Sequence, residues 1–268
     1  MQFDWEDAFI NGAYIAGGDA YPDAWAEAAA EFRKTCDTLQ ADISYGPKPR
    51  NTYDFVTPDG PAKGTFVFVH GGYWRMLDKS YWTHIAQGML AHGWAVALPQ
   101  YTLAPEARIS EITAEIGQAI TAIAATHAGP IRLAGHSAGG HLVSRMNCAD
   151  TPLASDVTSR IENVVSISGV HHLDPLRMTS MNKDFQLTEA EAKAESPALL
   201  DPRPNARTRF WVGAAERPEF LRQTRMIAET WARKGADVAD IYSPGEDHFS
   251  VVDPLTNPQS PLVQEILS

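Results

Sequence analysis

A serine lies at the centre of residues 135–139, which read Gly-His-Ser-Ala-Gly. The pattern G-x-S-x-G is typical of a nucleophilic serine on a sharp turn between a strand and a helix. The flanking glycines leave room for the strained backbone of such a turn. A glycine-rich turn that merely contains a serine is the alternative. Because an apolar, strand-like run precedes the motif and a helical pattern follows it, we expect Ser137 to attack a carbonyl carbon.

A second glycine motif, residues 70–74 (His-Gly-Gly-Tyr-Trp), follows the apolar run 65–69. Attack on a carbonyl produces an oxyanion, which needs two or three N–H donors already in place. A Gly-Gly pair lets the backbone turn its N–H groups inward, although a plain glycine turn after a strand is the alternative. The predicted oxyanion-binding residues are Gly71, which shapes the loop, and the N–H donors Gly72, Tyr73 and Ala138.

A histidine follows the last predicted strand, in residues 247–249 (Asp-His-Phe). A serine hydroxyl is a weak nucleophile until a base takes its proton, and imidazole is suited to that task near neutral pH. Any one histidine can instead be an ordinary surface or core residue. Of the nine histidines in the chain, only His248 lies beyond that strand. We therefore predict His248 as the general base.

A carboxylate is expected to orient this histidine and to stabilise its protonated form. Glu216 is the first carboxylate after the predicted strand 210–212. Glu219, one helical turn later, is its main rival, whereas Asp237 and Asp240 flank or lie in the last strand and are less well placed. Glu216 could also be no more than a charge at a helix N-terminus. We predict Glu216 as the orienting acid.

The elements that must position these residues alternate between strands and helices, which predicts an α/β fold with a mostly parallel sheet and helices on both faces. With 268 residues, 44% of them hydrophobic, one large core is expected. We predict a single domain over 1–268 with an N-terminal extension over 1–50. A helical insertion over 171–205, including a capping box at Thr188 and Glu191, is expected to form a small lid. The predicted strands are 65–69, 94–98, 131–134, 164–167, 210–212 and 238–242, and the predicted helices are 23–39, 79–92, 109–127, 139–148 and 219–234.

The amino-acid composition argues against several classes of partner and binding site. The chain has 33 acidic and 22 basic side chains, and this net charge of −11 argues against nucleic acid as a partner. The sequence shows neither a signal peptide nor an apolar run of membrane length, so a cytoplasmic protein without a membrane partner is expected. The two cysteines predict reduced thiols. No metal-ligand or cofactor signature is present, so we expect a small-molecule substrate alone; a homodimer remains open.

With these motifs in place, residues 53–249 resemble the α/β-hydrolase fold. Residues 70–74 resemble the HGGxW motif of kynurenine formamidases (arylformamidases) and are also similar to the HGGG loop of hormone-sensitive-lipase-like carboxylesterases. Residues 100–106 (QYTLAPE) resemble the DYRLAPE segment of both groups. Tyr73 replaces the third glycine of the esterase loop, which favours the formamidases. Thr102 replaces the arginine of DYRLAPE.

The resemblance implies a serine hydrolase that forms an acyl-enzyme, an arylformamidase acting on N-formyl-L-kynurenine. Tyr73, Trp74 and Phe249 are expected to line the cleft with aromatic surface suited to an aryl substrate, although Trp74 could instead pack the loop. A carboxylesterase or thioesterase of short acyl groups is the alternative. A ligand-binding relative without catalysis is a further alternative, which the presence of Ser137, His248 and the Gly-Gly loop disfavours.

Overall fold

The computed structural model describes residues 3–204 and 207–268, and over these residues the chain forms one eight-stranded sheet. The sheet has the order β1-β2-β4-β3-β5-β6-β7-β8, in which β1 and β2 are antiparallel to their neighbours and the other strands are mutually parallel. The strands are β1 Leu39–Ser44, β2 Thr52–Val56, β3 Thr65–Val69, β4 Ala95–Pro99, β5 Ile131–His136, β6 Ile161–Ile167, β7 Arg207–Gly213 and β8 Asp237–Ser243.

Helices cover both faces of the sheet, so the predicted α/β architecture is confirmed. In β3, Phe66 and Phe68 pack with the helices Ala86–Leu90 and Pro261–Leu267, whereas Val67 and Val69 pack with the helices Ile109–Thr126 and Ala138–Met146 on the other face. This burial on both faces explains the continuous apolar run of the strand. The helices are α1 Trp5–Ala8, α2 Tyr21–Thr35, α3 Ala86–Leu90, α4 Ile109–Thr126, α5 Ala138–Met146, α6 Ser155–Thr158, α7 Asn182–Phe185, α8 Glu189–Ala194, α9 Pro218–Arg233 and α10 Pro261–Leu267. No helix in the described part of the chain is long and apolar enough to cross a bilayer.

The first 50 residues, predicted as an N-terminal extension, contribute one strand to the sheet. Strand β1 lies within them and pairs with β2 as an edge strand. This strand was not predicted because its sequence is polar, as an edge strand buries few side chains. It is also interrupted by a bulge, at which Asp42 has φ 58°. Strand β2 carries a buried Asp54, which Lys79 neutralises at 2.6 Å. A charged residue inside a buried strand is a poor sequence signal.

The predicted helix over 79–92 is broken into two short 3₁₀ turns, Lys79–Tyr81 and Thr83–Ile85, followed by α3. The break falls at Trp82, whose φ of −123° is not helical and whose fully buried ring packs on Trp25 at 4.6 Å. Tertiary packing of this tryptophan therefore overrides the helical pattern. The C-terminal helix α10 was not predicted.

Residues 171–204 of the predicted helical insertion are described, whereas its last residue, 205, lies outside the described residues. They contain α7, α8 and the 3₁₀ turns Asp174–Met178 and Pro197–Leu199. The Thr188 hydroxyl accepts the Glu191 N–H at 3.1 Å, but the Glu191 carboxylate binds Arg108 and Ser110 instead of completing the capping box. This carboxylate therefore ties the insertion to the start of α4.

Candidate active site

Ser137 lies on the turn between β5 and α5 with φ 55° and ψ −114°, a strained conformation for a residue with a side chain. Its N–H donates to the Ile167 carbonyl at 2.8 Å. A methyl group at Gly135 would lie 2.3 Å from the Gly139 carbonyl oxygen, and one at Gly139 would lie 1.9 Å from the Val69 carbonyl oxygen. Only glycine fits at both positions, so the motif is needed to hold the serine in this turn.

His248 and Glu216 come together on the loops that follow β8 and β7. These two strands are paired, so the loops after them leave the same edge of the sheet. His248 Nδ1 lies 2.7 Å from Glu216 Oε2. A carboxylate only accepts, so Nδ1 carries the proton and Nε2 is left as the basic nitrogen. The other oxygen of Glu216 accepts hydrogen bonds from the Ser168 hydroxyl and, at 2.9 Å, from the Gly213 N–H.

The rival carboxylates are engaged elsewhere. Both oxygens of Glu219 bind its neighbours on α9, with Arg222 and Gln223 each at 2.7 Å. Asp237 pairs with Arg209 at 3.0 Å, and Asp240 accepts the Tyr242 hydroxyl at 2.8 Å. Glu216 is therefore the carboxylate that the structure places against His248.

The glycine loop after β3 abuts the serine. A methyl group at Gly71 would lie 3.2 Å from Ser137 Cβ and 3.0 Å from the His136 carbonyl oxygen. The next three residues have positive φ: 106° at Gly72, 49° at Tyr73 and 55° at Trp74. Within the described residues, the N–H groups of Gly72 and Tyr73 donate to no backbone carbonyl. The loop thus brings unused donors close to the serine.

His70 sets the direction of the first of these peptides. Its Nδ1 lies 2.7 Å from the Gly71 carbonyl oxygen, and burial lowers the pKa of its imidazole to about 4. The ring is therefore neutral near pH 7, with its proton on Nδ1. In a trans peptide the N–H points opposite to the C=O. Holding the Gly71 carbonyl towards His70 therefore directs the Gly72 N–H away from His70.

Comparison with known proteins agrees with this geometry. The sequence model of the alpha/beta hydrolase family matches residues 66–265. The chain belongs to the alpha/beta hydrolase family. Curated relatives named kynurenine formamidase include one from Danio rerio, 26% identical over 234 residues (84% of this chain, 79% of the relative). Another, from Drosophila melanogaster, is 28% identical over 200 residues (70% and 67%).

Solved structures resemble this alpha/beta hydrolase over most of its length. A protein from Silicibacter sp. TM1040, provisionally described as a thioesterase, superposes with a TM-score of 0.93 at 47% identity, covering 100% of both chains. Esterase B from Lactobacillus rhamnosis superposes with a TM-score of 0.66 at 16% identity, covering 92% of this chain and 90% of the esterase. The second likeness shows the shared fold alone.

The three aromatic residues expected to line the cleft of this hydrolase are placed differently from one another. Trp74 is fully buried and makes edge contacts with His141 at 5.1 Å and Phe185 at 5.7 Å between ring centroids, so it packs the loop and offers no surface to a substrate. This corrects its expected role. Phe249 is half-buried against the aromatic rings of α2, and Tyr73 is half-buried with its hydroxyl bonded to the N-terminal residues.

Three residues that support His248 and Glu216 in this hydrolase were not predicted from the sequence. His136 Nε2 lies 2.8 Å from the His248 carbonyl oxygen, and burial holds the pKa of His136 well below its usual value, so a neutral ring fixes the loop of the base. The Phe220 ring packs on His248 at 4.4 Å. Ser168 supports Glu216. His136 lies inside the serine motif and could have been suspected, whereas nothing local marks Ser168 or Phe220.

The site contains a hydroxyl, an imidazole and a carboxylate, which together suit nucleophilic attack assisted by a general base. Over residues 3–204 and 207–268, no group of three or more His, Cys, Asp or Glu side chains is arranged to hold a metal ion.

Proposed function

We propose that this protein is a serine hydrolase in which Ser137 Oγ attacks the carbonyl carbon of an ester or amide. His248 Nε2 takes the hydroxyl proton and then gives it to the departing amine or alcohol, which leaves the acyl group on Ser137. Water, deprotonated by His248, then attacks the acyl-enzyme and releases the acid. The Glu216 carboxylate at 2.7 Å supports this assignment, because it orients the imidazole and stabilises its protonated form.

The developing oxyanion is held, in this proposal, by the N–H groups of Gly72, Tyr73 and Ala138. The contact of Gly71 with Ser137 supports this, since it brings the loop beside the nucleophile. Ala138 is the first residue of α5, and the first N–H groups of a helix have no acceptor within it. Removing one such donor costs about 3 kcal/mol of transition-state stabilisation in comparable enzymes.

The proposed substrate is N-formyl-L-kynurenine. The observation that carries this choice is the low exposure of the site. Ser137 is only 2% exposed and His248 only 4%. Such a site favours the smallest acyl group, formyl. Residues 70–74 and the curated kynurenine formamidases at 26–28% identity point in the same direction.

A thioesterase or carboxylesterase of short acyl groups is the second candidate. It is favoured by the 47% identity, over both complete chains, to the Silicibacter protein provisionally described as a thioesterase. Both candidates share one mechanism and differ in the acyl and leaving groups.

Rates on a matched substrate series test the choice. Formyl, acetyl and butyryl amides of one aryl amine should show kcat/KM falling steeply with acyl length, and N-formylkynurenine should exceed short acyl thioesters. If acetyl or butyryl thioesters and esters react as fast as the formyl amide, the second candidate is the better description.

Labelling with a fluorophosphonate tests the chemistry independently of the substrate. The wild-type protein should be labelled at Ser137, and Ser137→Ala should lose both labelling and about a thousandfold or more of kcat. Ser144→Ala is a matched control on the same helix, since the Ser144 hydroxyl donates to the Gly140 carbonyl of its own helix. An unlabelled wild-type protein would instead support a ligand-binding role without catalysis.

A further inference from the structure

The N-terminal segment, defined as residues 5–14, touches three loops that carry proposed active-site residues and also the insertion. It contacts the glycine loop after β3, the insertion, the start of α9 beside Glu216, and the loop of His248. One contact with each is the Tyr73 hydroxyl donating to the Phe9 carbonyl (2.6 Å), the Ser180 N–H donating to the Glu6 carboxylate (2.6 Å), Arg217 pairing with the Asp7 carboxylate, and Gly12 lying beside Phe249, where an added methyl would be 3.7 Å from the ring. The segment thus reaches the site from outside the motifs.

Its most specific contact is with the hydroxyl of Tyr73. This hydroxyl donates to the Phe9 carbonyl at 2.6 Å and accepts a hydrogen bond from Asn11 Nδ2 at 3.2 Å. Asn11 is a polar residue only 5% exposed, and Phe9 is also buried. Both hydrogen-bonding capacities of the hydroxyl are therefore used inside the protein, by the N-terminal segment.

The loop needs such a tether because its backbone is strained. Tyr73 has φ 49°, a conformation that costs a side-chain-bearing residue about 1–3 kcal/mol and persists only where surrounding contacts hold it. The N–H of Tyr73 is one of the donors proposed for the oxyanion. A displacement of about 1 Å in such a group can cost about a hundredfold in rate.

We propose that Asn11 is a positioning residue, which acts through the Tyr73 hydroxyl to hold the oxyanion-binding backbone of the glycine loop in place. The proposal rests on the proposed function, since it concerns the same site. It extends the catalytic assembly to a residue 62 positions before Tyr73 and outside every motif.

Two variants remove the tether in different ways. Asn11→Leu deletes the donor, and Tyr73→Phe deletes the hydroxyl while keeping the ring, so the second remains informative if the first fails to fold. Each should lower kcat about tenfold or more and leave KM within about threefold, because the oxyanion contact exists only in the transition state. The double variant should be no worse than Tyr73→Phe alone, since Tyr73→Phe already removes the hydrogen bond to Asn11.

A matched tyrosine elsewhere provides the control. The Tyr45 hydroxyl donates to the Gln100 carbonyl at 2.6 Å and accepts from Asn51 Nδ2 at 3.3 Å, the same arrangement away from the serine. Tyr45→Phe should lower the free energy of unfolding as Tyr73→Phe does, but leave kcat unchanged. Fluorophosphonate labelling of Ser137 should slow in the two tether variants and not in Tyr45→Phe.

Unchanged kcat and labelling in folded Asn11→Leu and Tyr73→Phe would overturn the proposal. So would a raised KM with unchanged kcat, which would make the segment a substrate-binding wall. A wild-type protein that is never labelled at Ser137 would instead refute the proposed function itself, so the two failures are distinguishable.

Discussion

Two residues of the proposed triad, Glu216 and His248, are held by groups that take no part in the chemistry. Ser168 and the Gly213 N–H hold Glu216, and His136 holds the main chain of His248. These bonds leave Glu216 Oε2 directed at the imidazole. At the scale of residues, the arrangement separates the groups that react from those that orient them.

Replacement of Glu216 by glutamine tests this arrangement. An amide carries no charge to stabilise the protonated imidazole and can favour the wrong tautomer, so kcat should fall about a hundredfold to ten-thousandfold with little change in KM. Glu219→Gln is the matched control, since among the described residues the Glu219 carboxylate binds Arg222 and Gln223 and does not bind His248. Steady-state kinetics measure kcat and KM of both variants. An equal loss of kcat in the two variants would contradict the assignment of Glu216 as the acid.

At the scale of elements, the serine turn depends on how closely β3, β5 and α5 approach one another. The Val69 carbonyl lies where any side chain at Gly139 would have to be. The tight contact aligns the end of β3, and hence the glycine loop, with the start of α5. The same packing thus sets the relative position of the nucleophile and the proposed oxyanion donors.

Gly139→Ala should therefore destabilise the fold. Its methyl group would overlap the Val69 carbonyl at 1.9 Å, and overpacking of this kind costs about 1–3 kcal/mol or more. Urea unfolding measures the loss. Gly12→Ala serves for comparison because its methyl would meet only Phe249, at an ordinary contact distance of 3.7 Å. Similar urea midpoints of unfolding for Gly139→Ala and the wild type would show that the surrounding backbone can move to accommodate the methyl group.

Trp74 connects the glycine loop to α7 of the insertion through Phe185. Because the indole is fully buried, Trp74→Ala should lower the free energy of unfolding by about 3–5 kcal/mol. Rates on aryl substrates and on methyl esters should fall by the same factor. A selective loss on aryl substrates would restore the substrate-binding role expected from the sequence.

Elements with strong apolar patterns were predictable, and so was the approach of Glu216 to His248. The run 65–69 and the stripe of isoleucines in α4 correspond to a strand and a helix of the structure. Strand β1 was missed because a polar edge strand carries little pattern, and the helix over 79–92 failed because the packing of Trp82 interrupts it. The bond from Asn11 to Tyr73 spans 62 residues and depends on tertiary packing, which no local pattern encodes.

At the scale of the whole molecule, the core contains several neutral histidines. Burial lowers the pKa of His70 and His84 to about 4 and that of His141 and His171 to about 3. An unfolded chain would bind protons at these imidazoles near pH 6.5. Between about pH 6.5 and 4, the unfolded state therefore binds more protons than the folded state, and stability must fall as the pH falls.

The free energy of unfolding should thus drop between pH 7 and pH 5, by up to about 2 kcal/mol for each such histidine. Urea titrations at the two pH values measure the drop. His84→Gln removes one of these groups and should make the drop smaller by about that amount. An identical drop in the variant and the wild type would show that His84 does not contribute.

The contacts of the N-terminal segment also bear on the order of folding. Asp7 binds Arg217 across 210 positions, and Gly12 lies beside the ring of Phe249, which is similarly distant in the sequence. Such non-local contacts form late, because long loops must close before they are gained. A refolding chain would therefore acquire most of its sheet before Ser137 could react. In refolding experiments, far-ultraviolet circular dichroism should recover before fluorophosphonate labelling does, and simultaneous recovery would contradict this order. Reactivity of Ser137 would thus appear only after these two distant parts of the sequence have come together.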